Sequence, residues 1–179
     1  ENTINNNNLQ SSIIHISNIN QIKKPNEFSH IIICGTAIKD FSYNLYDISS
    51  FLKQVEELEI PILGICAGAQ IISNYKQIPL VYNFKSDVLK FRVVNTSKIF
   101  NLIENDIISG YALHSYCVNQ NDIENKSNIN SIIPILESVT GNKVVELFKI
   151  NDFYLSFFHI EIKNKNLLEN WIHNSKKIN

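Results

Sequence analysis

The apolar and polar positions of this chain fall into three textures. Asn2 to Asn8 (NTINNNN) is polar and of low complexity, which predicts a surface segment over residues 1–11. SSIIHIS, residues 11–17, reads as a strand, and INQIKKPNEF as a connection. The run Ile31 to Ile33 is β-branched throughout and ends in Gly35 and Thr36, as expected of a strand in a sheet covered on both faces. In DISSFLKQVEELEI, apolar residues at 48, 51, 52, 55 and 58 form a helical stripe, with Asp47 or Ser49 as caps and Pro61 as the stop. PILGI is then a second buried strand, and GAQIISNYK opens a second helix.

This strand–helix–strand–helix order predicts an α/β class protein with a right-handed parallel core. The fold expected is a three-layer sandwich with a mainly parallel central sheet and a smaller antiparallel β section. The antiparallel part begins after Pro79, where VLKFRVV alternates Leu89, Phe91 and Val93 against Lys90 and Arg92. KVVELFKI and DFYLSFFHIEI predict a hairpin turning at Asn151-Asp152. Leu167, Leu168, Trp171 and Ile172 predict a C-terminal helix whose last turn carries Lys176 and Lys177, where they suit the dipole. No repeat or second boundary interrupts residues 12–179, which read as one domain.

Composition narrows the class. A chain of 179 residues holds one sizeable core, and 44% hydrophobic with 18% charged fits an ordinary soluble globular protein. A net charge of −1 without a basic cluster argues against nucleic acid or a membrane surface as partner. No apolar run approaches the ~20 residues that span a bilayer, and the polar N-terminus does not read as a signal peptide. Three widely spaced cysteines argue against a disulfide framework and for a reducing cytoplasm.

The chemistry gathers at IPILGICAGAQIIS. A cysteine between Gly64 and Gly68, after a strand and before a helix, has the nucleophile-elbow pattern with Cys in place of Ser. A tight turn of this kind demands small neighbours, which the two glycines supply. It would push the Cys66 sulfur out at the carboxyl end of the sheet. The following helix aims its N-terminus at that sulfur and favours a thiolate, and the Ala67 N–H becomes an oxyanion donor. A base and its orienter are available in FFHIE: His159 and Glu161, two apart, share a face of an extended chain. Taken singly, each has a plainer reading. Cys66 also fits inert packing at a buried junction, His159 a structural histidine, and Glu161 a solvated strand-end carboxylate. Their joint occurrence favours the chemical reading.

PILGICAGAQII together with FFHIE resembles the class I glutamine amidotransferases, whose domain carries G-[IV]-C-x-G-x-Q and, later, F-H-P-E. The resemblance spans roughly residues 12 to 172, and the interval from Cys66 to His159 (159 − 66 = 93 residues) is typical of that family. It implies Cys66 as nucleophile, His159 as base and Glu161 as orienter. It implies oxyanion donors at Gly35 and Ala67, and substrate contacts at Gln70 and, within LHSYCV, at Ser115 and Tyr116. The implied reaction is hydrolysis of glutamine through a cysteine thioester, without metal or organic cofactor. The ammonia would pass to a separate synthetase, a GMP synthetase-type enzyme being one candidate, since the chain is similar in size to the archaeal-type glutaminase subunit of GMP synthetase. A stand-alone γ-glutamyl hydrolase and a non-catalytic binding protein of the same fold are the alternatives.

Three departures stand out. The family's Gly-Gly-Pro is Cys34-Gly35-Thr36, the proline between His and Glu is Ile160, and Ala69 follows Gly68 where a bulkier residue is common. The family's first strand and helix are also expected to be truncated or absent ahead of Ser12. Cys34 and Cys117 are expected to pack near the pocket, with a redox-sensitive Cys34 as a further reading. His15, His30 and His173 are too scattered to form a site.

Overall fold

The computed structural model describes residues 9–36, 47–124, 132–140 and 143–175. The Asn2–Asn8 segment and the Lys176 and Lys177 positions therefore lie outside the described residues. The strands are β1 (Ile31–Ile33), β2 (Ile62–Ile65), β3 (Val81–Val93), β4 (Ile107–Asn119), β5 (Ile132–Ser138), β6 (Val144–Ile150) and β7 (Phe153–Ser156). The α-helices are α1 (Ser49–Glu57), α2 (Ala67–Tyr75), α3 (Gln120–Glu124), α4 (Ile160–Lys163) and α5 (Lys165–Asn174).

These strands join one sheet in the order β1-β2-β7-β6-β4-β3-β5, and a further β5–β6 pairing closes β6, β4, β3 and β5 on themselves. Among the described residues only β1–β2 and β2–β7 pair parallel; the other pairings are antiparallel. The expectation of a mainly parallel central sheet is thereby corrected: the sheet is mainly antiparallel, with a four-strand barrel-like part. The reason lies in the connections. Parallel neighbours need a crossover, usually a helix, and the strand–helix alternation ends at α2. From β3 onward the sequence neighbours β3–β4, β5–β6 and β6–β7 pair directly with each other, antiparallel. The change of texture after Pro79 marks this part, whose extent exceeds the small section expected.

SSIIHIS is a second correction. Residues 11–15 carry no regular structure, and Ile16–Gln21 forms a 3-10 helix begun by His15, whose ring accepts from the Ser17 amide. Ile13 is 77% exposed, so these apolar residues lack the sheet partner that would make them a strand. The remaining elements stand near their expected places. Neither Asp47 nor Ser49 is the N-cap of α1, which is Ile48. Asp47 Oδ1 accepts the Ser49 N–H at 2.9 Å just ahead of the helix, which buries Phe51, Leu52 and Val55. The β6–β7 hairpin turns at Asn151, whose φ is 52°.

Apolar residues alternate to opposite faces of the parallel strands. Ile62, Phe153 and Leu155 pack with α1 and α2, while Leu63, Ile65 and Tyr154 pack with Leu167, Leu168 and Trp171 of α5. Glu56 links α1, α2 and the hairpin turn through Lys76, Tyr75 Oη (3.0 Å) and Asn151 Nδ2 (3.1 Å). For the site, one consequence matters most. β1, β2 and β7 run parallel side by side, so their carboxyl ends open on one edge.

Candidate active site

At the end of β2 the chain turns at Cys66, which has φ 53° and ψ −108° and stands at the N-terminus of α2. A positive φ in a residue with a Cβ is strained and needs surrounding structure to enforce it. Here the enforcement is backbone packing. The Cys66 amide donates to Ser156 O of β7 at 2.8 Å, and its carbonyl accepts from the Gln70 amide at 3.1 Å. A Cβ on Gly68 would lie 1.9 Å from Ile33 O. One on Gly64 would lie 2.8 Å from the Gly68 carbonyl carbon. The glycines of the elbow are therefore required by close contact between β1, β2 and α2.

The base candidate arrives on the neighbouring strand. β7 pairs with β2 up to Ile65↔Ser156, so the segment after Ser156 emerges beside Cys66. His159 precedes α4, and its Nδ1 is 2.7 Å from Glu161 Oε1. This pair is made across a helical turn, and not along the extended chain expected. Ile160, in the position of the family's proline, is fully buried and uses the N–H that proline would lack, donating to Phe158 O at 3.0 Å. Nδ1 being engaged, the buried Nε2 is left for the thiol, with no conventional hydrogen bond of its own among the described residues. The Cys66 thiol is the largest influence on the His159 ring and Glu161 the next; together they overcome burial and push its pKa up to about 10.

Gly35, at the end of β1, faces both groups. A Cβ there would lie 3.1 Å from Cys66 Cβ, 3.4 Å from His159 Cε1 and 3.6 Å from Cys66 Sγ. Ala67 is the first residue of α2, where backbone amides lack intrahelical acceptors. Cys66, His159, Glu161, Gly35 and Ala67 thus converge. Gln70 is buried one turn along α2. Ser115 and Tyr116 lie on β4, half-buried, with the Tyr116 ring T-shaped against Tyr82 at 5.8 Å. Cys34 is exposed on the loop after β1, within electrostatic reach of Glu161, and Cys117 is buried in β4. His30 packs edge-on against Trp171 at 5.2 Å, as a structural histidine does.

Two contacts escaped the sequence reading. Cys66 Sγ donates to Leu113 O at 3.3 Å, and the His159 amide donates to Tyr111 O at 2.8 Å. Both acceptors are backbone carbonyls of β4, so no side-chain type announces them. Only the adjacency of Leu113 to the rest of LHSYCV offered a signal.

A thiol, a ring and a carboxylate in this order, beside helix-end amides at the carboxyl ends of parallel strands, is an arrangement suited to nucleophilic attack on a carbonyl. The sequence matches the glutamine amidotransferase class-I family over residues 2–177, and the chain belongs to that family. Solved structures agree on the fold. One is a Thermoplasma acidophilum protein assigned as a GMP synthase subunit (17% identity, 97% of this chain, 85% of that one, TM-score 0.75). Another is PurLQS from Thermotoga maritima (14%, 98% and 91%, TM-score 0.72). A third is a glutamine amidotransferase from Thermotoga maritima (15%, 97% and 74%, TM-score 0.69). No curated protein matches the sequence significantly. No helix among the described residues is long and apolar enough to cross a membrane.

Proposed function

We propose that this chain hydrolyses glutamine to glutamate and ammonia and delivers the ammonia to a separate synthetase. The observation that carries the reading is the convergence of Cys66, His159 and Glu161, with Gly35 and Ala67 beside them, at the ends of three adjacent parallel strands. In this mechanism the Cys66 thiolate attacks the side-chain carboxamide carbon, and the Gly35 and Ala67 N–H groups receive the oxyanion. The raised pKa of His159 keeps a proton on its ring at neutral pH. That proton goes to the departing ammonia, and a γ-glutamyl thioester remains on Cys66. The neutral ring then takes a proton from water, whose oxygen attacks the thioester and releases glutamate. Gln70, Ser115 and Tyr116 are the candidates for holding the amino acid end of the substrate.

The partner we infer is of the GMP synthetase type. It is suggested by the structural likeness to the Thermoplasma protein assigned as a GMP synthase subunit. Glutamate release is measured with and without such a synthetase. Stimulation by the synthetase, and loss of release in Cys66→Ala, are expected. Activity retained by Cys66→Ala overturns the mechanism, and full activity alone with a preference for substituted amides points to a γ-glutamyl hydrolase instead.

A further inference from the structure

His114 on β4 and Glu146 on β6 are both completely buried, and neither takes part in the chemistry above. Their Nε2 and Oε2 atoms are 3.3 Å apart, off the hydrogen-bonding direction, and Nδ1 and Oε1 have no hydrogen-bond partner among the described residues. Phe157 covers the histidine, ring centroids 6.1 Å apart. Its amide donates to Glu146 O at 2.9 Å. An acid–base pair at such depth carries a desolvation cost that apolar side chains avoid, so its position calls for a reason.

The strand pairing supplies one. β4 is laddered to β3 along nearly all its length, but to β6 only at Val118 and Asn119. Toward its start, the next bridge on that side among the described residues is Tyr111–His159. His114 lies in the gap, and Glu146 meets it there. The same stretch of β4 presents Leu113 O to the Cys66 thiol and Tyr111 O to the His159 amide. We propose that the His114–Glu146 contact is a strut that positions the Tyr111–Leu113 segment of β4, and through its carbonyls sets the Cys66 thiol against the His159 ring. Both are positioning residues, acting through backbone and not on substrate. The rate readout below rests on the glutaminase reading; the titration readout does not.

The test compares the full chain with His114→Leu, Glu146→Leu and the double variant. Three quantities are read: melting temperature, kcat and KM for glutamine, and the His159 titration midpoint by NMR. Each single variant leaves a buried group without its partner and melts lower; the double variant restores an apolar interior and recovers most of the melting temperature. The strut predicts that the double variant nevertheless keeps a kcat about tenfold lower, with KM within about twofold of wild type. Its His159 midpoint falls below that of the wild-type chain, because the thiol contact is loosened. Recovery of kcat and midpoint together with melting temperature overturns the proposal. Should the leucine pair fail to fold, His114→Phe with Glu146→Leu carries the same comparison. A wild-type chain without glutaminase activity overturns the functional reading, while the His159 midpoint still decides the strut.

Discussion

His159 Nδ1 and Glu161 Oε1 stand 2.7 Å apart, with the intervening Ile160 fully buried. The carboxylate fixes the ring so that its other nitrogen is the one available to Cys66. Cys66 and Glu161 both raise the His159 pKa, so each substitution should be felt at the ring. Glu161→Gln and Cys66→Ala each lower the His159 midpoint from about 10 toward 6.5. NMR titration of the His159 Cε1 proton reads both. A midpoint that stays high in Cys66→Ala would show that the ring does not face the sulfur.

The same midpoint sets the sign of a pH effect on stability. Between 6.5 and about 10 the folded chain holds a proton on His159 that the unfolded chain has released. The native state binds more protons there, so stability falls as pH rises. The contribution is fully present below 6.5 and is lost as pH rises through about 10. Thermal melts of wild type and His159→Gln should therefore converge from about pH 6 upward; a gap that widens with pH would contradict the pairing.

Strain at the elbow can be separated from the loss of sulfur. Cys66→Ala and Cys66→Gly both remove the thiol, and both should abolish glutamate release. At φ 53° and ψ −108° only glycine is at ease, so Cys66→Gly should be more stable than Cys66→Ala by about 1 kcal/mol. Denaturant unfolding of the two variants checks this, and equal stabilities would mean that the turn is relaxed.

Legibility in the sequence followed the range of the interactions. Gly64, Cys66 and Gly68 announce an elbow because a local turn restricts residue type locally, and the hairpin at Asn151 was readable for the same reason. His159 and Glu161 were found through spacing, although the pair forms across a helical turn and not along a strand. The sheet's balance of parallel and antiparallel pairing is less legible, because two β-α units at the start, β2–α2 most clearly, carry a stronger local pattern than the five later strands, whose antiparallel pairing is set by which strands meet. Residues 11–17 are apolar enough for a strand, yet a strand also needs a partner edge, which periodicity does not report. Leu113 and Tyr111 were invisible because their carbonyls, which every residue has, make the contacts.

Two glycines near the thiol should fail in opposite ways. A methyl on Gly68 meets the Ile33 carbonyl oxygen at 1.9 Å, and backbone on both sides leaves nothing to swing aside. Gly68→Ala should therefore cost about 2–4 kcal/mol, as overpacking against a fixed neighbour does. It should also part β1 from α2. A methyl on Gly35 meets Cys66 Cβ at 3.1 Å and His159 Cε1 at 3.4 Å, distances that neighbouring side chains can relieve by shifting a few tenths of an ångström. Gly35→Ala should keep stability within about 1 kcal/mol. Yet it crowds the space where the thiol, the ring and the oxyanion must align, so kcat should fall about 100-fold. Melting temperature and glutamate release, measured on both variants, give the contrast. A Gly35→Ala protein that is fully active would remove this loop from the reaction and return the oxyanion to Ala67 alone.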